Sequence, residues 1–302
     1  MKLSIVAPCY NESGTVIDFY NMVKNFLEDK KIKYELIMID DGSTDDTYKK
    51  LEQLNKEDKN VKVIAFSRNF GKEAAMYAGL EYASGNYIAI MDTDMQQRIE
   101  TLYMMYNKLL ENEEFDIVCA YRENRGDESS FKRTLTSLFY RLNNSLTYIR
   151  LLPGASDFRI FKSEVKDALL SMKESNRFLK GMFSWVGFNT IYVPYNPSKR
   201  EHGISKWSIF KLIKYSIGGI ISFSTKPLKF VALSSLITFI VGTLNFLLLG
   251  SLSFKTVIMM LSLIILNIGI ISLYVIRIYS NSLKRPIYIA KKKIGLDKKT
   301  TK

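Results

Sequence analysis

Two stretches of this 302-residue chain, residues 230–249 and 257–276, run for twenty residues each without a charged side chain. No other feature narrows the choice of fold so far. At 1.5 Å of rise per residue, either stretch spans a hydrocarbon core about 30 Å thick as a helix. A soluble protein could hide both only inside a domain much larger than the rest of the chain supplies. The link at 250–256 is short and holds one lysine, Lys255, whereas Lys226 and Lys229 precede the first run and Arg277, Lys284, Arg285 and Lys291 to Lys293 follow the second. Positive charge gathers on the cytoplasmic side of membrane spans, so this pattern predicts a hairpin with both ends in the cytoplasm.

The charge of the chain is unevenly placed. From Lys199 onward there are 17 Lys and Arg against two acids, Glu201 and Asp297, which leaves residues 1–198 with −2 of the net +13. Basic residues that flank apolar runs suit anionic lipid rather than a nucleic-acid groove, so a membrane partner is expected and no nucleic acid. Residues 207–224 mix aromatic and aliphatic side chains with Lys206, Lys211 and Lys214 nearby. That composition fits an interfacial helix along the headgroups, or a helix packed on the preceding domain. Cys9 and Cys119 sit at the ends of apolar runs and read as buried thiols, and with His202 as sole histidine the sequence offers no zinc cluster and no Ser-His-Asp triad to propose. Met1-Lys2 leads directly into a strand, which predicts a domain that stays in the cytoplasm.

Ahead of the apolar runs, residues 3–8, 34–39, 61–66 and 87–91 are short, β-rich and apolar, and helical spacing fills the intervals. Four strand–helix alternations predict a mostly parallel sheet with right-handed crossovers. The first, second and fourth strands end in polar loops: Pro8 to Glu12, Asp40 to Asp45, and Asp92 to Gln96. In a parallel sheet these loops converge at one edge, where open α/β sheets bind ligands. Asp92 and Asp94, one residue apart and followed by the amide of Gln96, offer hard oxygen ligands suited to Mg²⁺ or Mn²⁺ carrying a diphosphate. An isolated Asp-x-Asp is as easily an acidic turn, and Asp40-Asp41 can equally close its strand through an Asx-turn. With neither GxGxxG after the first strand nor GxxxxGK[ST] anywhere, a dinucleotide site and a P-loop are both unsupported, and phosphate falls to metal and side chains.

The ordered segments IVAPCYNE, DDGSTDDT, SRNFGKEAA and DTDMQ resemble those of inverting family 2 glycosyltransferases of the GT-A fold. SRNFGKEAA is similar to the polyprenyl-phosphate branch. Further along, Ser156-Asp157-Phe158-Arg159, FLKGMFSWVGF at 178–188 and RxxGxSK at 200–206 resemble bactoprenol glucosyltransferases and dolichol-phosphate mannose synthases. The resemblance implies that Pro8, Tyr10, Glu12, Asp41, Lys72 and Asp92 bind the nucleotide sugar, with Asp41 on the base. It implies Asp94 and Asp157 as catalytic carboxylates, Asp157 either orienting the acceptor or acting as base, and Asp92, Asp94 and Gln96 around the metal. Arg122, Arg133 and Arg200 align with family arginines expected to bind the acceptor phosphate, and Ser137 joins them four residues after Arg133 on the same helical face. Relatives usually continue the acidic loop with a further acid or His and two prolines, and here Gln97-Arg98-Ile99 follows, which predicts a less rigid loop. Ser156 stands where the family has Gly.

The expected protein is therefore an α/β GT-A domain at 1–198, interfacial helices at 199–229, and two spans with a basic cytoplasmic tail at 230–302. Its expected activity moves one sugar, glucose or a related hexose, from a UDP-sugar to undecaprenyl phosphate at the plasma membrane, for cell-surface polymer glycosylation. Two alternatives stay open: a mannose synthase using GDP-mannose, and a catalytically silent membrane scaffold with this fold. A processive synthase is disfavoured, because QxxRW and further spans are missing. Small residues in the hairpin allow a homo-oligomer.

Overall fold

The computed structural model describes residues 1–122, 130–196, 209–249 and 253–296. It divides into two compact units: Met1–Arg133 with Leu152–Lys206 and Pro286–Lys302, and Thr134–Leu151 with Trp207–Arg285.

The first unit begins with the alternation that the sequence predicts: β1 (Lys2–Cys9), α1 (Val16–Asp29), β2 (Lys33–Asp40), α2 (Thr47–Glu57), β3 (Val61–Phe66), α3 (Lys72–Tyr82) and β4 (Tyr87–Ile90). In α1 the residues Val16, Phe19, Tyr20, Val23 and Leu27 recur every three or four positions and form one buried face. β1 and β2 are buried along almost their whole length, the mark of parallel strands covered on both faces. β1 pairs in parallel with β2 on one side and β4 on the other, and β2 with β3. The chain thus leaves β3, passes over β2 and β1, and re-enters the sheet beyond β1. The C-terminal ends of β1 and β4 open on the crevice at that switch point. α3 packs close there because of Gly79, where a Cβ would stand 2.2 Å from Val6 Cγ1.

The chain continues through α4 (Ile99–Glu111), β5 (Ile117–Arg122), α5 (Ser130–Leu146), β6 (Ala155–Lys162), α6 (Ser163–Ser171), α7 (Leu179–Trp185) and β7 (Thr190–Tyr195). β6 enters antiparallel between β4 and β5, with Ile90 opposite Arg159. This reversal positions the site: two residues past Ile90 is Asp92, and two residues before Arg159 is Asp157, so both carboxylates reach the same sheet edge from opposite chain directions.

The second unit holds α5 from Thr134 onward, α8 (Ile209–Phe223), α9 (Lys226–Leu249) and α10 (Phe254–Ser282). α9 and α10 are long and apolar enough to cross a membrane. Most of their large apolar side chains face outward, as lipid-facing positions require. Ser234, Ser235 and Asn267 break the apolar pattern. Asn267 accepts from Ser234 Oγ at 3.1 Å and donates to Ser235 Oγ at 3.0 Å, pinning α10 to α9.

The C-terminal segment departs from expectation. Rather than continuing as a basic tail, residues after α10 rejoin the first unit as β8 (Ala290–Ile294), antiparallel to β3, with Val63 opposite Ile294. The sheet order becomes β7-β5-β6-β4-β1-β2-β3-β8. Tyr288 anchors the return: its ring stacks on Phe66 at 4.8 Å, and its hydroxyl donates to Glu81 at 2.6 Å. Lys291 to Lys293 lie along the outer edge of the sheet, where charge discourages a further strand from adding.

Candidate active site

Two of the expected loops are clamped to each other before any ligand is considered. Ser43 Oγ accepts Asn11 N–H at 2.9 Å, Thr47 Oγ1 accepts that of Glu12 at 2.9 Å, and Asp45 Oδ2 accepts that of Ser13 at 3.1 Å. Tyr10 and Glu12 are therefore carried on a frame supplied by the acidic loop after β2. Pro8 sits within β1, opposite Ile39. Asp40 accepts the N–H of Ser43 at 3.0 Å, the Asx-turn alternative, and is engaged in closing the strand. The next residue but one, Gly42, has φ +68°, and a Cβ there would lie 2.4 Å from the Arg68 carbonyl carbon.

Asp41 reaches the loop after β3. Its Oδ1 accepts Phe70 N–H at 2.7 Å and its Oδ2 accepts Gly71 N–H at 2.9 Å. Burial raises its carboxyl to about 6 even against these two bonds. Asp41 thus fixes the start of α3 and aims its first side chain, Lys72.

Lys72 is the centre of the cluster. Its Nζ lies 2.7 Å from Asp92 Oδ1, 2.9 Å from Asp92 Oδ2 and 3.1 Å from Asp157 Oδ2. Partial burial of the ammonium works against its charge, but Asp92 and Asp157 outweigh it and hold the lysine above its ordinary pKa. Burial likewise pushes Asp157 up, and Lys72, Lys180 and Arg159 together more than reverse this, keeping the carboxyl well below the usual range. In the loop itself Met95 takes a left-handed φ of 60°, which turns the chain so that Gln96 N–H donates to Asp94 Oδ1 at 3.2 Å.

Four contributors were given no supporting role by the sequence. Gln97, buried, bonds Asp92 twice. The loop expected to be loose is therefore fastened by the residue that departs from the family pattern. Ser156, the other departure, donates to Ala120 O at 2.8 Å and ties β6 to β5 beside Asp157. Glu73 accepts Leu179 N–H at 2.9 Å, fixing the start of α7 next to the cluster. Tyr195 hydroxyl accepts from Arg122 Nε at 3.3 Å.

The expected acceptor residues are not gathered to the same degree. Arg122 Nη2 lies 3.4 Å from Gln96 Oε1, so this arginine touches the acidic loop directly. Arg133 and Ser137 lie on α5, with Ser137 exposed and in the second unit. Arg200 lies outside the described residues.

Among the described residues no three Asp, Glu, His or Cys side chains converge as a protein-only metal cage. The donor set still fits a hard divalent ion. Mg²⁺ and Mn²⁺ are commonly held by one or two carboxylates with substrate phosphates filling the remaining positions. Asp92 and Asp94 would provide those carboxylates, and the Lys72 ammonium against Asp92 shows that the position favours a cation.

A family model described as Glycosyl transferase family 2 matches residues 4–170. The chain is 35% identical to an uncharacterized glycosyltransferase, YkcC, of Bacillus subtilis, over 99% of this chain and 96% of that protein. It is also 35% identical to a bactoprenol glucosyl transferase of Shigella phage SfV, over 96% of this chain and 98% of that protein. Among solved structures, a mycobacterial protein superposes with a TM-score of 0.50 at 18% identity, covering 73% of this chain and 74% of its own.

Proposed function

Since this chain belongs to glycosyl transferase family 2, we propose that it transfers one hexose, with inversion, from a UDP-sugar to polyprenyl phosphate at the cytoplasmic face of the plasma membrane. The observation that carries this is the meeting of Asp92, Lys72 and Asp157 at one sheet edge. A relative named bactoprenol glucosyl transferase and two helices suited to crossing a membrane support a lipid acceptor.

The acidic loop takes the donor's diphosphate end, while Pro8, Tyr10, Glu12 and Asp41 line the nucleoside. Mg²⁺ or Mn²⁺ held by Asp92, Asp94 and Gln96 would supply positive charge for the diphosphate leaving group. A phosphate monoester with a second pKa near 6 is largely dianionic in the cytoplasm, so the acceptor is already a nucleophile and needs no strong base. Asp157, kept ionised by Lys72, orients that phosphate. Arg122, Arg133, Ser137 and Arg200 receive it through charge-assisted hydrogen bonds. The lipid-linked sugar then serves cell-surface polymer glycosylation.

The deciding experiment incubates the full chain in detergent with undecaprenyl phosphate and labelled UDP-glucose, UDP-galactose or GDP-mannose, with Mn²⁺, Mg²⁺ or EDTA. Lipid-linked hexose from a UDP-sugar, lost in EDTA, is expected. Product from GDP-mannose alone would favour a mannose synthase, and no product from any donor would favour a silent scaffold.

A further inference from the structure

Lys72 carries more than a place in the donor pocket. Its ammonium meets both oxygens of Asp92, at 2.7 and 2.9 Å, and one of Asp157, at 3.1 Å. The first contact covers the oxygen face that a divalent ion needs. The second reaches the acceptor side of the reaction. The lysine is also held in that place: it opens α3 directly after Gly71, whose N–H is bonded to Asp41.

A divalent ion approaching Asp92 in the empty pocket meets a positive charge already seated there. Like charges a few ångströms apart in a partly desolvated cleft repel strongly. A nucleoside diphosphate changes that balance, because its oxygens bring the negative charge that lets an ammonium and a divalent ion lie side by side. Asp92 can then turn an oxygen from Lys72 while Asp157 retains the lysine, so neither carboxylate is left bare at any stage.

We propose that Lys72 is a positioning residue that acts as a resident counter-cation, bridging Asp92 and Asp157 while the donor is absent and making divalent-ion binding conditional on the nucleotide diphosphate. This rests on the metal role given above to Asp92 and Asp94.

The test is Mn²⁺ binding to the full chain in detergent, followed by the spectroscopic signal of free Mn²⁺, with and without saturating UDP. In the unsubstituted protein UDP should tighten Mn²⁺ by at least about tenfold. Lys72→Met keeps an unbranched chain one atom shorter and removes the charge, so Mn²⁺ should bind about tenfold tighter without UDP and gain less from it. Lys72→Arg keeps the charge and should retain the conditional behaviour. The proposal is overturned if Lys72→Met, with an unchanged thermal transition, binds Mn²⁺ without UDP no tighter than the unsubstituted chain. Should that variant fail to fold, equal Mn²⁺ affinity of the unsubstituted chain with and without UDP overturns it as well. Mn²⁺ that binds under neither condition removes the metal role itself, a different failure from Mn²⁺ that binds equally under both.

Discussion

Gln97 grips Asp92 at two points: its Oε1 accepts the Asp92 N–H at 3.0 Å and its Nε2 donates to Asp92 Oδ2 at 3.2 Å. The amide is buried, which limits competition from water on its side of both bonds. Gln97→Ala removes both and leaves the Asp92 carboxylate to be held by Lys72. At about 1.5–3 kcal/mol for hydrogen bonding to a charged group, transfer should fall roughly ten- to a hundred-fold. The fold should survive, and transfer rates at saturating donor beside a thermal melt would check both halves. A rate close to normal would show that the loop is held by other contacts.

Tyr288 tests whether the return of the chain to the sheet matters for stability. Tyr288→Ala removes the ring on Phe66 and the hydrogen bond to Glu81. A loss of about 3–5 kcal/mol is expected, as for other large aromatic truncations. Tyr288→Phe should lose only about 1 kcal/mol, the hydrogen bond alone. Denaturation of the full chain in detergent distinguishes them; equal melting of both variants would contradict the packing role.

The proposed membrane topology can be read out at the same return. The native thiols, Cys9 and Cys119, are buried, so an added cysteine reports cleanly. In intact cells, cysteine at Ser253 should react with an impermeant reagent, and cysteine at Ala290 only after lysis. Labelling of both from the same side would mean that α9 and α10 do not span.

Glu35 sets a pH dependence. Burial alone would raise its carboxyl, but hydrogen bonds from Lys2, Lys62, Ser4 and Ser84 hold it at about 2. Since the folded value lies below the unfolded one, the stabilisation is complete above about pH 4.5 and is lost as pH falls towards 2. It amounts to about 3 kcal/mol. Glu35→Gln should lose roughly that much at pH 7 and flatten the acid limb of the stability curve. An unaltered acid limb would assign the dependence to other carboxylates.

The acceptor arginines should separate the two substrates. Arg133→Ala and Arg200→Ala should each weaken use of the lipid by about 1.5–3 kcal/mol, or roughly ten- to a hundred-fold, with UDP-sugar affinity unchanged. Lys should restore only part, because an ammonium lacks the two-pronged contact with phosphate. Calorimetry of the donor and transfer rates against lipid concentration measure the two effects. A collapse of donor affinity would move these arginines to the other substrate.

The sequence by itself determined the local features. Runs such as LSIVAP and YELIMI specify buried strands, the spacing from Val16 to Leu27 specifies one apolar helix face, and twenty uncharged residues specify a helix long and apolar enough to cross a membrane. Each is legible because its cause lies within a few turns of its own backbone. The three polar loops were legible too, since a parallel strand delivers its loop to a known edge.

Tertiary structure alone decided which of those residues meet. Lys72 and Asp157 are 85 positions apart, and the contact exists because β6 runs antiparallel beside β4 and brings Asp157 level with Asp92. β8 belongs to the sheet because a strand edge pairs with whatever backbone reaches it in register, which no pattern within Ala290–Ile294 announces. Gln97 reads as a break in a motif, yet the left-handed turn at Met95 and its burial make it the clasp of the acidic loop. Strand order and register fix such pairings by the free energy of the whole sheet, and no single segment contains that information.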